Sequence, residues 1–580
     1  MANVNIKING SDISVPEGIT VLEAAKMANI HIPTLCYLKD LNEIGACRMC
    51  VVEVKGARTL VTSCVFPVNE GMEVFTNTPK VISSRRKTLQ LILSTHDRKC
   101  LSCVRSKNCE LQNLCKELGI EDEGFYDGYR PEYEIDYSAV HMYRDNNKCI
   151  LCRRCTAACE KLQSIGVIGP NERGFETHIG SPFGMGLGDT SCVSCGQCIA
   201  VCPTGALSEI DNTEEIFKAI ADPTKHVVVQ TAPAVRAALG EAFGLPIGTQ
   251  VEGKMVASLR KLGFDSVFDT NFSADLTILE EGTELLDRIN NNGVLPLITS
   301  CSPGWIKFCE HYFPDMLDHL STCKSPQQML GAIIKSYYAK QKGIDPKDIV
   351  SVSVMPCTAK KFEIGRPDQD GAGLPDVDIA ITTRELARMV KTAGIDFVNL
   401  ADEKADDPLG RSTGAAVIFG ATGGVMEAAL RTVVEILTGE ELQKLDFVDA
   451  RGFEGIKEAS YNVNGLEVKV AIASGLANAR ELMNKIKSGE ANYHFVEIMA
   501  CPGGCINGGG QPHVPGDVRN NVDYRALRAK ALYDYDTTYE LRKSHENPDI
   551  QKLYDDFLGK PNSHIAHELL HTSYVARTIN

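Results

Sequence analysis

The sequence has no run of eighteen apolar residues, which excludes a membrane-spanning helix. It opens Met1-Ala-Asn-Val-Asn-Ile-Lys-Ile8, without the basic flank and apolar core of a secretory signal, so a cytoplasmic protein is expected. Surplus positive charge is missing too. The net charge of -15 argues against a nucleic-acid partner, and it suits an acidic protein partner only where a local basic patch exists. The glycine run Gly420-Ala-Thr-Gly-Gly424 lacks both the Gly-Lys-Thr of a P-loop and the Gly-x-Gly-x-x-Gly of a dinucleotide site, and reads as close backbone packing at a helix start. Cysteine, in contrast, is abundant at 22 residues. A reducing cytosol disfavours structural disulfides, so thiolate ligation of metal becomes the leading explanation.

A chain of 580 residues predicts about four domains. Residues 1–80 begin with Val4-Asn-Ile-Lys-Ile8, alternating as a strand, a turn at Asn9-Gly10, and a helix from Thr20, its cap. Cys36, Cys47, Cys50 and Cys64 follow. The set resembles a plant-type ferredoxin around a 2Fe–2S cluster, with a longer first gap. A thioredoxin-like pair would explain Cys47 and Cys50 but not the other two. Residues 81–126 carry His96, Cys100, Cys103 and Cys109, whose spacing suits zinc or a 4Fe–4S cluster equally. Their place between two cluster modules favours iron–sulfur, because zinc carries no electrons. Arg98, Lys99, Arg105 and Lys107 make a basic patch there, and Cys115 reads as core.

Residues 127–209 hold two copies of one pattern: Cys149, Cys152, Cys155 and Cys159, then Cys192, Cys195, Cys198 and Cys202-Pro203. In the two-cluster bacterial ferredoxin pattern each fourth cysteine serves the other cluster. Cys149, Cys152, Cys155 and Cys202 are therefore assigned to one 4Fe–4S cluster, and Cys192, Cys195, Cys198 and Cys159 to a second. From 210 to 580 the reading is a large α/β domain. Strands are expected at Val227–Thr231, Ile349–Met355, Ala416–Gly420 and Val468–Ala473, alternating with helices at Glu280–Arg288, Glu385–Val390 and Gly424–Ile436, hence a mainly parallel sheet. The tail after about 515 shows no motif of its own, and His545, His564, His567 and His571 read as surface or satisfied histidines. The fold class is thus multidomain, α+β and α/β.

Three cysteine loops lie in this last domain: Thr299-Ser-Cys301-Ser302-Pro-Gly-Trp305, Met355-Pro-Cys357-Thr-Ala-Lys360-Lys-Phe-Glu363, and Glu497-Ile-Met-Ala-Cys501-Pro-Gly-Gly-Cys505-Ile-Asn-Gly-Gly-Gly-Gln511-Pro. Cys501 and Cys505, four apart, would point the same way from one helical turn. The loops resemble the three signatures of the iron-only (FeFe) hydrogenases, fully in the second and third and except at Ser302 in the first. The order of the accessory modules is that of the large monomeric clostridial type.

The resemblance implies reversible conversion of two protons and two electrons to hydrogen, with ferredoxin or flavodoxin as electron partner. The implied cofactors are one 2Fe–2S cluster, three accessory 4Fe–4S clusters and an H-cluster. The H-cluster is a 4Fe–4S cubane joined to a diiron unit with CO, cyanide and a bridging dithiolate amine, and installing the diiron unit needs maturation proteins. Cys357, Cys501 and Cys505 match cubane ligands. Lys360, Met355, Met499, Gln327 and Pro233 match residues lining the diiron pocket, with Ala234 where a hydroxyl is usual. Arg288, Glu284, Ser321, Glu281 and the Cys301 position match a proton relay. An exposed acidic helix is the plainer reading of Glu281 and Glu284. At the first loop, Cys301 falls at the proton-donor position and Ser302 at the fourth cubane ligand. Cysteine count favours Cys301 swinging to the cubane; Ser302 ligation and an open position are the alternatives. The rival to an enzyme is a hydrogen-sensing or weakly active relative.

Overall fold

The computed structural model describes residues 2–121, 129–442, 444–463 and 465–579, and the boundary expected at 126/127 lies outside the described residues. The first module is a five-stranded sheet. Strand Asn3–Ile8 turns through Asn9 and Gly10, both at positive φ, into antiparallel Ser11–Pro16, then joins Glu73–Phe75, Val51–Val54 and Val61–Thr62. Thr20 caps helix Val21–Met27 reciprocally with Glu23. Helix Pro79–Thr95 ends at His96, its C-cap. In the duplicated module, strand Met142–Arg144 pairs antiparallel with Leu207–Glu209. That pairing carries the end of the second repeat back to the start of the first, so Cys202 lies beside the Cys149 loop.

The large domain holds two four-stranded sheets. The first runs Ser266–Asp269, His226–Thr231, Ile349–Met355, Ile379–Thr382, all parallel. The second runs Leu297–Ile298, Phe495–Met499, Leu466–Ser474, Ile456–Val463, with the last pair antiparallel. Parallel strands covered on both faces read as unbroken apolar runs. Val227, Val229, Val352 and Val354 face one core and Val228 and Ile349 the opposite one. The carboxyl ends of parallel strands are the natural seats of active-site loops. Met355 leads into Cys357 from the first sheet, while Ile298 and Met499 lead into Cys301 and Cys501 from the second.

The strand expected at Ala416–Gly420 is instead a helix at Gly414–Val417 followed by a 3₁₀ turn at Ile418–Gly420. This short apolar run is buried on all sides among helices Thr270–Asn290, Gly424–Thr438 and Tyr524–Asp536, where periodicity cannot distinguish helix from strand. The glycines after it do mark a helix start. A Cβ at Gly423, which sits at φ +85°, would collide with the carbonyl of Ala450. Among the described residues no helix is long and apolar enough to cross a membrane.

The loop Ser321–Ser325 is fixed by a buried ion pair between Lys324 Nζ and Asp376 (2.7 Å), side chains 1% and 0% exposed. Lys324→Met should destabilise the large domain by about 3–5 kcal/mol by leaving the buried carboxylate unpaired. Calorimetry of the variant checks this, and an unshifted large-domain transition contradicts it.

Candidate metal centre

The three cysteine loops meet between the two sheets. The third loop is where the backbone comes closest. A Cβ at Gly508 would collide with the carbonyl of Pro356, and one at Gly509 with that of Cys195. Cys501 to Gly504 form a turn and Cys505–Asn507 a 3₁₀ segment. The expected helical turn is therefore absent, because Gly503 and Gly504 take φ of 90° and 94°. Burial pushes the thiols of Cys357 and Cys501 up, and Cys505 up to about 12, with Cys357 adding to the last two. Three such thiols can shed their protons together only to a positively charged soft centre, which fits an iron–sulfur cubane.

Around them, Lys360 Nζ donates to Glu363 (2.7 Å), Ser325 Oγ (2.8 Å) and the Cys301 carbonyl (3.2 Å). Gln327 donates to Glu363 at 2.9 Å and accepts from Ser353 at 2.8 Å. Met355 and Met499 end their strands buried. Pro233 opens helix Pro233–Arg236, and the Ala234 carbonyl accepts from Gln511 at 2.8 Å. Glu497, fully buried, accepts from the N–H groups of Gly423 (2.6 Å) and Met426 (2.8 Å), tying the third loop's strand to the start of helix Gly424–Thr438.

Glu281 and Glu284 are 2% and 8% exposed, which overturns the exposed-helix reading. Arg288 Nη2 donates to Glu284 (2.6 Å) and Ser321 Oγ donates to Glu284 (3.1 Å). Ser321 also lies close enough to Glu281 to act on its carboxyl, which burial lifts to about 8. Burial raises the Cys301 thiol well above the ordinary range, and of the charges acting on it Glu281 is the largest, ahead of Cys505. The Ser302 hydroxyl accepts from the N–H of Ala500, next to Cys501, at 3.2 Å.

The accessory cysteines gather in four sets. The Cys36 and Cys47 thiols share a hydrogen bond, Cys50 and Cys64 lie 3.3 Å apart, and Cys64 feels the charge of Cys36 and Cys47. Cys149, Cys152, Cys155 and Cys202 line one cavity, and Cys159, Cys192, Cys195 and Cys198 another. Cys103 lies close enough to Cys109 to raise its thiol, and Cys100 and Cys109 both act on Cys115, which lies on helix Glu110–Glu117. His96 is buried with Nδ1 lacking a partner, and burial lowers its pKa to about 4. A neutral imidazole with an orphaned nitrogen is a ready metal ligand.

Residues that sequence reasoning missed link these sets. Asn42 Nδ2 donates to the carbonyls of Cys36 (2.7 Å) and Cys152 (3.0 Å). Arg105, one of the basic patch, is buried and donates to the Cys202 carbonyl at 2.8 Å. Gln197 lies close enough to Cys501 to act on its thiol and donates to the Asn507 carbonyl at 2.9 Å. These contacts span up to hundreds of residues, so no local spacing announces them.

Residues 225–509 match the family model "Iron only hydrogenase large subunit, C-terminal domain". The chain is 53% identical to the NADP-reducing hydrogenase subunit HndD of Solidesulfovibrio fructosivorans, over 100% of both chains. This chain belongs to the iron-only hydrogenases. Iron hydrogenase 1 of Clostridium pasteurianum is 43% identical over 98% of this chain and 99% of that one. A solved apo FeFe-hydrogenase HydA1 variant from Chlamydomonas reinhardtii is 44% identical, with a TM-score of 0.57, covering 64% of this chain and 100% of that one.

Further models cover a 2Fe-2S iron-sulfur cluster binding domain at 1–79, an NADH-ubiquinone oxidoreductase-G iron-sulfur binding region at 85–123 and a 4Fe-4S dicluster domain at 148–206. As a family member the chain thus carries 2Fe–2S and 4Fe–4S binding domains. Residues 522–577, which show no motif of their own in the sequence, match "Iron hydrogenase small subunit".

The raised carboxyl predicts that Glu281 holds its proton at pH 7. Its infrared carboxyl band, identified by its loss in Glu281→Gln, should fade as pH rises through about 8. The sign is fixed by burial, which favours the neutral acid. No such band at pH 7 contradicts it. Because the folded value lies above the ordinary 4.5, this group costs stability progressively as pH rises from about 4.5 toward 8.

Proposed function

We propose that the chain is a reversible hydrogenase that joins two protons and two electrons into hydrogen and runs the reverse reaction, exchanging electrons with ferredoxin or flavodoxin. The observation that carries this is the convergence of the three signature loops on one buried point, where a carboxylate relay ends at Cys301. When bound, the H-cluster supplies the iron at which protons and electrons combine. Cys357, Cys501 and Cys505 would hold its cubane, and Lys360, Gln327, Met355, Met499, Pro233 and Ala234 would line the diiron side. The four accessory sets would hold one 2Fe–2S and three 4Fe–4S clusters. Asn42 and Arg105 bring the first two modules to the Cys149–Cys202 set. The Cys195 set adjoins Cys501, whose charge raises the Cys195 thiol. Electrons therefore have two intakes and one exit.

The reading extends to a monomer in the cytoplasm, loaded by maturation proteins. HndD is named as a subunit of an NADP-reducing hydrogenase, which makes a pyridine-nucleotide-linked partner subunit the second reading of the electron source. A sensor or weakly active relative is disfavoured by the continuous relay.

For the first loop we now favour Cys301 as relay thiol and Ser302 as the group facing the cubane, in place of the swing of Cys301 toward the cubane. Two observations support the change: the Cys301 thiol lies close enough to Glu281 to be influenced by its carboxyl, and the Ser302 hydroxyl lies against the backbone beside Cys501. Cys301→Ala should cut turnover by about 10²–10⁴, the effect of losing a positioned proton-transfer group, while the cubane's paramagnetic signal survives. Disappearance of that signal would return Cys301 to the ligand set. Glu281→Gln should cause a similar loss with all cluster signals intact.

Metal analysis of protein lacking the diiron unit should find iron for all accessory clusters. Stoichiometric zinc at His96 would remove that cluster from the path.

A further inference from the structure

The relay just described needs a group at its outer end that both takes up and releases protons. Arg288 is poorly suited. A guanidinium does not give up its proton in proteins, and Arg288 spends its donors on Glu284 and the carbonyls of Val294, Asp318 and Leu320. It orients Glu284. On another side of the same carboxylate lies a different chain of groups. Thr322 Oγ1 hydrogen-bonds Glu284 Oε2 at 3.2 Å and His571 Nδ1 at 2.7 Å. His571 Nε2 lies 3.3 Å from Glu280 Oε2, which is fully buried. The His571 ring packs, tilted by 33° and with 4.1 Å between centroids, against His567, which is exposed to solvent. His571 is held in register by backbone bonds on either side, Lys324 N to Leu570 O (2.7 Å) and Thr572 N to Thr322 O (2.8 Å).

We propose that His571, with His567 at the surface, is the proton intake of this enzyme, joining the relay at Glu284 through the Thr322 hydroxyl. The directions are consistent. An imidazole protonated on Nδ1 donates to the threonine oxygen, whose own hydrogen points to Glu284, and one shift along this line moves a proton inward and leaves His571 neutral at Nδ1. Glu280 steadies the positive ring from Nε2. His567, exposed beside it, joins the ring to water. Arg288 and Glu280 are then positioning residues, and His571 and Thr322 carry the proton.

This inference rests on the Glu284–Ser321–Glu281 relay, and the test separates the two. In the loaded full-length enzyme, His571→Ala should lower hydrogen evolution by about ten-fold or more, as for loss of a proton shuttle, and millimolar imidazole should restore much of it. Unchanged turnover, or a loss that imidazole does not restore, overturns the proposal. Glu281→Gln in the same series tests the relay: if it also leaves turnover intact, the relay is wrong, and if it alone abolishes turnover, only the intake is.

A second readout avoids loading and guards against misfolding. In protein carrying iron–sulfur clusters but no diiron unit, the Glu281 carboxyl band should exchange into D₂O at least about ten-fold more slowly in His571→Gln, whose amide keeps the bond to Thr322. An equal exchange rate overturns the intake independently of activity.

Discussion

A thiolate cannot remain charged in a low-dielectric interior without a positive partner. Burial raises the thiols of Cys357, Cys501, Cys505 and of most accessory cysteines, so in the absence of metal each would rather stay protonated. The fold must therefore present sulfurs in groups and at fixed geometry, and leave the compensation to metal. Two devices accomplish this. Antiparallel pairing of Met142–Arg144 with Leu207–Glu209 brings distant halves of a repeat together, and two separate sheets end their strands at one point.

The same low dielectric that makes sulfur need metal would serve the proposed relay. Glu281 keeps its proton because the surroundings penalise its anion, so at neutral pH it can donate toward Cys301. Were it exposed, as the plainer sequence reading had it, it would be ionised and unable to donate. Proton supply and cluster binding thus follow from one property of the site, its exclusion of water.

What the sequence made legible follows from spacing. The two ferredoxin repeats, the Cys36–Cys64 set and the three signature loops are each local patterns, and their chemistry constrains residue type and interval. The strands at Val227–Thr231 and Ile349–Met355 were legible because double-sided burial writes an unbroken apolar run. The same signature misled at Ala416–Gly420, where total burial among helices produces an identical run. The turn at Cys501–Cys505 was misread because glycine's left-handed conformations replace helix where side chains would forbid them. Asn42, Arg105 and Gln197 left no trace, because an ordinary polar residue bonding a distant carbonyl has no sequence period.

The tail shows why a motif-free stretch can still be part of the site. Residues 522–577 correspond to what the family model calls a small subunit, here continuous with the large one. Tyr574 donates to the carbonyl of Ser321, Arg577 to Glu310 at 2.6 Å, and Thr572 to the carbonyl of Thr322. The first and last of these bonds satisfy backbone carbonyls of the very loop that presents Ser321 to Glu284. Without them the loop would have to turn those carbonyls to water, and water there would level the dielectric on which the neutral Glu281 depends. In the proposed relay the tail would keep the site dry, and it needs no cysteine and no spacing rule to do so. That is why its polar, helical sequence looked empty while its contacts close the site.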